Sequence, residues 1–149
     1  MPRFQDIDYD KISQAGFLFD SSVNPTFLPG RYNNLGISRR PYKITGTNII
    51  EFPVSVSPMV RFPLSWFIFK NLSLSLFKFL STSVIRKDRY IHLYFHPWEF
   101  AGIEQFTIPA FIRRPSGKRY TEKFNKLLTF LKKKGEFVTV SDFLENYKF

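Results

Sequence analysis

The chain has 149 residues, no cysteine, 22 Lys and Arg against 12 Asp and Glu, and 44% hydrophobic residues. That length fits one domain with a core of its own, and the lack of cysteine excludes a disulfide scaffold and any cysteine-ligated zinc or iron–sulfur site. Nineteen phenylalanines within 19% aromatic content argue against disorder and predict ring-built packing, while a net charge of +10 admits an anionic partner without naming one.

The first six residues lack the apolar run of a secretory signal. Residues 6–16 read as a short helix: Asp6 or Asp8 can cap it, Tyr9 and Ile12 share a face, and Gly16 suits the left-handed position after its end. Phe17-Leu18-Phe19 is a short apolar strand that stops at the turn-forming Asp20-Ser21-Ser22. Residues 24–46 are rich in Pro, Gly and Asn and read as a loop. Residues 48–57 resemble a strand, with Pro53 confining it to an edge or a bulge.

Residues 62–80 form the most apolar window. Lys70, Asn71 and Lys78 interrupt it, and a central Lys is costly in a bilayer. The expectation is a buried or interfacial helix pair that breaks near Asn71, and no transmembrane span. Residues 90–95 alternate as a strand ending at His96-Pro97, followed by a loop over 97–116.

The C-terminal part is the clearest. Tyr120, Phe124, Leu127, Leu128 and Leu131 make one apolar helical stripe. Thr121 can cap that helix, Glu122 suits its positive end, and Gly135 terminates it. Residues 137–140 then read as a strand, and Ser141 as the cap of a last short helix. This alternation predicts an α/β fold with a parallel sheet. The chain shows no internal repeat.

Three candidate sites stand out. Residues 113–134 hold nine Lys and Arg and one Glu. Lys132, Lys133 and Lys134 fall in a last helical turn that favours cations, and Lys123 and Lys126 lie off the apolar stripe. The stretch therefore reads as a solvated face with general affinity for anions and no specific nucleic-acid site. His92 and His96 are spaced for a shared metal on a helix, but on a strand their rings lie about 13 Å apart. His92 reads as a hydrogen-bonded structural residue. His96 stands at the carboxyl end of its strand, where α/β folds place catalysts. Its near-neutral pKa suits general-acid work, with Pro97 fixing the backbone and Trp98 offering an apolar wall. On residue chemistry alone, structural and catalytic roles for His96 stay equally open.

Tyr94-Phe95-His96-Pro97-Trp98-Glu99 resembles the last motif of the NodB-homology polysaccharide deacetylases, carbohydrate esterase family 4. Ala15 to Ser22 is similar to the stretch that follows the family's third motif. Glu51-Phe52-Pro53-Val54-Ser55 is similar to a strand of its envelope-polysaccharide branch, and residues 127–144 to its closing helix, strand and helix. The resemblance implies the C-terminal portion of a distorted (β/α) barrel, NodB-like and incomplete. It implies metal-dependent hydrolysis of N-acetyl, and in some members O-acetyl, groups on an envelope or exported polysaccharide. His96 would be the general acid, Trp98 and Tyr94 would bind substrate, and Asp20 would orient and charge the histidine. The resemblance places such proteins in the cell envelope or periplasm.

The departures are equally specific. The family binds zinc, or another divalent metal, through two aspartate- and histidine-bearing motifs that this sequence lacks, so no metal ligand is assigned here. Met1-Pro2-Arg3-Phe4 resembles the tail of the third motif, but Arg3 stands two positions too late for that motif's arginine. The expectation is a C-terminal half whose partner is the missing N-terminal half of the domain, inactive by itself. The alternative is a non-catalytic, basic, aromatic-rich module that binds anionic glycan or a membrane surface through residues 113–134 and 62–80.

Overall fold

The computed structural model describes residues 4–149; Arg3 lies outside them. The chain folds as a mixed α/β structure of two small sheets and several helices.

Helix α1 (Tyr9–Gln14) is capped by Asp8, whose carboxylate accepts from the Lys11 amide at 3.1 Å. Gly16 follows at φ 84°, a conformation open to glycine at little cost. Strand β1 (Phe19–Asp20) is displaced from the expected position: Phe17 and Leu18 are exposed and only the end of the apolar run is a regular strand. The expected loop over 24–46 contains three two-residue strands. A hairpin joins β2 (Phe27–Leu28) to β3 (Tyr32–Asn33), and β4 (Tyr42–Lys43) enters the main sheet.

Strand β5 (Ile50–Glu51) is the centre of that sheet. It runs parallel to β1, with Asp20 beside Glu51, and antiparallel to β4. The expected parallel sheet is therefore mixed. Pro53 stops the regular ladder, but it does not push the segment to an edge. Residues 51–57 are all buried, and the backbone stays extended between neighbours on both sides. Val54 donates to the Val23 carbonyl, Ser55 to the His92 carbonyl, and the Ser55 carbonyl accepts from Leu64.

The apolar window divides as its sequence predicts. Helix α2 (Trp66–Asn71) ends at Leu72, and α3 (Leu74–Asp88) starts after Ser73, whose hydroxyl caps Leu76. Among the described residues no helix is long and apolar enough to cross a membrane. Residues 91–95 are extended, but they bridge through Ser55, Ser65 and Trp66 and form no regular strand. A 3-10 turn (Pro97–Glu99) and α4 (Ala110–Arg113) interrupt the expected loop over 97–116.

Helix α5 (Gly117–Lys132) begins earlier than its apolar stripe suggests. Ser116 precedes it, and Thr121 sits inside it, bonded to the Gly117 carbonyl. Gly117 has φ +55°, and a Cβ there would meet the Gly102 Cα at 3.2 Å. Residues 137–139 join no sheet, and Phe137 and Val138 are exposed. Thr139, rather than Ser141, caps α6 (Val140–Glu145) by accepting from the Asp142 amide.

Phe69 lies at the heart of the core. Its ring is edge-on to Phe77 at 5.0 Å and to Phe95 and Tyr120 at 5.4 Å, tying α2, α3, α5 and the 91–95 segment together. Leu64, Val84, Leu127 and Leu131 fill the space around these rings. Such edge-to-face contacts add to the burial of aromatic area, so much of the phenylalanine content is structural.

Candidate functional site

The extended 91–95 segment delivers His96 to a corner where the chain turns sharply. Pro97 starts the 3-10 turn, and the Glu99 amide donates back to the His96 carbonyl at 3.2 Å. The turn folds Trp98 over the histidine: their rings stack with centroids 3.7 Å apart and planes 18° from parallel. Tyr94, two residues before on the same face, places its hydroxyl 2.6 Å from His96 Nε2. Trp66 at the start of α2 closes another side, 5.4 Å from the imidazole. His96 remains partly accessible and Trp98 is 50% exposed, so a ligand in solution can reach both. Partial burial holds the His96 pKa below its ordinary value, and the negative charge of Glu99 acts in the other direction.

Behind this corner lies a charge cluster that sequence reasoning did not isolate. Glu99 and Lys70 form an ion pair with both side chains fully buried. Lys70 also donates to the Ile112 carbonyl, and its ammonium lies 5.8 Å from the Trp66 ring and 5.6 Å from the Tyr120 ring. Among the described residues, Glu99 Oε1 and the buried Tyr120 hydroxyl meet no hydrogen-bond partner. Burial, followed by the charge of Glu99, pushes the Tyr120 pKa up. The sequence carried a signal here: a lysine inside a strongly apolar helix needs a buried anion or a route to water.

Asp20 sits elsewhere in its hydrogen bonding. Its carboxylate accepts from the Ser22 amide and hydroxyl, each at 3.0 Å, and lies beside the Glu51 carboxyl across the parallel pair. None of its hydrogen bonds reaches His96. Glu51 is fully buried, accepting from the Tyr9 hydroxyl at 2.9 Å and the Val23 amide at 3.1 Å. Burial, reinforced by the neighbouring Asp20, pushes its pKa up to about 8.

His92 has the structural surroundings expected of it. Its ring stacks on Phe52 at 4.4 Å and 3°, and Nδ1 lies 3.2 Å from the Pro53 carbonyl. Burial lowers its pKa. A cavity of about 270 Å³ opens on this side, lined by Phe52, His92, Leu131, Phe137 and Phe143 among others, and His96 is not part of its wall.

Of the two surfaces expected of a binding module, the 62–80 window is part buried, with Phe62, Leu76 and Phe79 exposed, and most of the 113–134 cations are exposed. Leu64, Phe69 and Phe77 of the 62–80 window are fully buried. Lys123, expected on the solvent side, reaches inward instead: its ammonium donates to the Leu72 carbonyl at 2.6 Å and to the Phe69 carbonyl, capping the open end of α2. Burial lowers its pKa. Lys126 and residues 132–134 are exposed as expected.

Residues 21–145 match a family described as a domain of unknown function, DUF3473. The chain belongs to this family. The matched region contains Glu51, Lys70, Tyr94, His96, Trp98 and Glu99, and it begins one residue after Asp20. No curated protein and no solved structure matches the chain.

Proposed function

We propose that this DUF3473 domain supplies the proton-donating corner of a metal-dependent polysaccharide deacetylase, acting on N-acetyl or O-acetyl groups of an envelope or exported polysaccharide. The observation that carries the reading is the His96 corner: an accessible imidazole at the end of an extended segment, stacked on Trp98 and hydrogen-bonded to Tyr94. The likeness of residues 94–99 to the closing deacetylase motif supports it. In this reading the fold is the C-terminal portion of a NodB-like barrel, completed by a segment that precedes it.

Hydrolysis of an N-acetyl group adds water to the carbonyl and then expels an amine. An amide nitrogen leaves poorly unless it takes a proton as its bond to carbon breaks. Protonated His96 gives that proton, so the products are a free amine and acetate, and general acids of this kind contribute about 10²–10⁴-fold. Trp98 and Tyr94 flank the imidazole and form the wall against which the acetyl group rests. Because burial favours neutral His96, the acid form is lost as pH rises through a value below histidine's ordinary one.

The family resemblance implies zinc or another divalent metal. Among the described residues no three His, Asp or Glu side chains converge as ligands, so these residues do not fit a metal. In the proposal its ligands belong to the preceding segment.

The test joins this chain to a segment carrying the family's aspartate and histidine motifs and measures acetate released from an N-acetylated oligosaccharide. His96→Ala should lower turnover at least ~100-fold while fold and metal content stay unchanged. Undiminished turnover by the variant would remove His96 from the mechanism.

A further inference from the structure

We infer that Glu99 and Lys70 are positioning residues for His96: their buried ion pair locks the turn that stacks Trp98 on the imidazole. The inference rests on the reading of His96 as a proton donor and concerns what holds that donor in place.

Three connections run from α2 to the His96 corner. At its N-terminal end the Trp66 amide donates to the Tyr94 carbonyl at 2.7 Å, fixing the chain two residues before His96. The Trp66 side chain packs against the imidazole itself. One helical turn later, on the same face, Lys70 holds Glu99, the last residue of the 3-10 turn. The histidine is thus bracketed on both sides by one six-residue helix. Lys123 and the Ile112 carbonyl fix that helix in turn, the first by capping its C-terminal end and the second by accepting from Lys70.

Stability alone does not account for a fully buried ion pair. Removing two charges from water costs about as much as their attraction returns, and well-packed apolar residues often serve as well or better. What the pair provides at this location is a fixed geometry. A 3-10 turn of three residues has few hydrogen bonds of its own, and Trp98 is half exposed, with one face of its ring stacked on the imidazole. The anchor at Glu99 keeps the turn closed, and the stacked ring keeps the imidazole in one orientation. Among the described residues, the titratable and charged side chains around His96 are Tyr94, Glu99 and, behind Glu99, Lys70.

The experiment is a pH titration of the 149-residue chain by NMR, following the ring protons of His96, with His92 as the internal reference. The stacked indole should shift the His96 ring protons upfield. Glu99→Gln should lower the His96 titration midpoint and reduce that upfield shift. Lys70→Arg should preserve both, and His92 should be unmoved throughout. The Lys70→Met/Glu99→Leu double variant replaces the pair with apolar volume and guards against a Glu99→Gln protein that fails to fold; it should stay folded and still lose the upfield shift. Wild-type His96 shifts and midpoint in folded Glu99→Gln, or a wild-type upfield shift in the folded double variant, would overturn the inference. In the joined enzyme, Glu99→Gln should lower kcat about 10-fold or more with KM nearly unchanged. If His96→Ala is silent in that enzyme, the general-acid reading fails, whereas the NMR result still decides whether the pair positions the ring.

Discussion

Glu51 and Glu99 are both shut off from solvent, yet the chain surrounds them in opposite ways. Glu51 lies in the main sheet with no cation beside it among the described residues. Its neighbours are a second carboxylate, a tyrosine hydroxyl and a backbone amide, and its pKa rises to about 8. Glu99 lies behind the His96 corner with a lysine ammonium against it. The first carboxyl keeps its proton at neutral pH and acts as a neutral hydrogen-bonding group. The second is held as one half of an ion pair. Burial sets the penalty for charge in both places, and the partner decides whether charge persists.

The largest effect should come from breaking the charged site on one side only. Lys70→Met leaves Glu99 buried and uncompensated, and it should destabilise the fold by about 3–5 kcal/mol, measured by denaturant unfolding. The Lys70→Met/Glu99→Leu pair should recover much of that loss. If the single variant costs no more than the double, the ion pair is not the organising contact.

The neutral site should reveal itself through pH. Between the ordinary glutamate range and about 8, folding takes up a proton at Glu51, because the folded state holds it and the unfolded state has released it. Stability should therefore fall as pH rises through that window. Glu51→Gln should flatten this slope, read from unfolding midpoints across the window. A slope as steep as that of wild type would place the proton elsewhere.

Two smaller changes sharpen the contrast. Tyr9→Phe removes the hydroxyl that donates to Glu51 and should cost about 1 kcal/mol. Tyr120→Phe removes a hydroxyl that has no hydrogen-bond partner among the described residues, close to Glu99, and should change stability by less than about 0.5 kcal/mol. Equal effects from the two would contradict the partner assignments. Both are measured by unfolding at fixed pH.

The elements that periodicity governs were legible in the sequence. The stripe through Tyr120 and Leu131 lies on α5, and the break at Asn71 separates α2 from α3 because Ser73 caps the second helix. Sheet membership was less legible, since it depends on partners far along the chain. Phe137 and Val138 have strand-like composition but pair with no strand among the described residues, whereas Tyr42 and Lys43, inside a segment rich in turn formers, find β5. Pro53 misled for a related reason. A proline stops a ladder, but Val54 bonds Val23 one residue later and Ser55 bonds His92 the residue after that.

The site divides in the same manner. His96, Trp98 and Tyr94 are near neighbours in sequence, and their grouping follows from one turn. Lys70 and Glu99 are 29 residues apart, and only the fold brings them together. Asp20 was read from its resemblance to a motif, and its hydrogen bonds go to Ser22 rather than to the histidine. Lys123 sits off the apolar stripe, but the open carbonyls of α2 draw its ammonium inward.

General-acid action by His96 is the central claim, and leaving-group dependence tests it most directly. An amide nitrogen needs a proton to depart, whereas an activated aryl acetate leaves without one. In the joined enzyme, His96→Ala should lower N-acetyl hydrolysis at least ~100-fold and aryl acetate hydrolysis far less. Equal losses on both substrates, or no loss on either, would contradict the role given to His96.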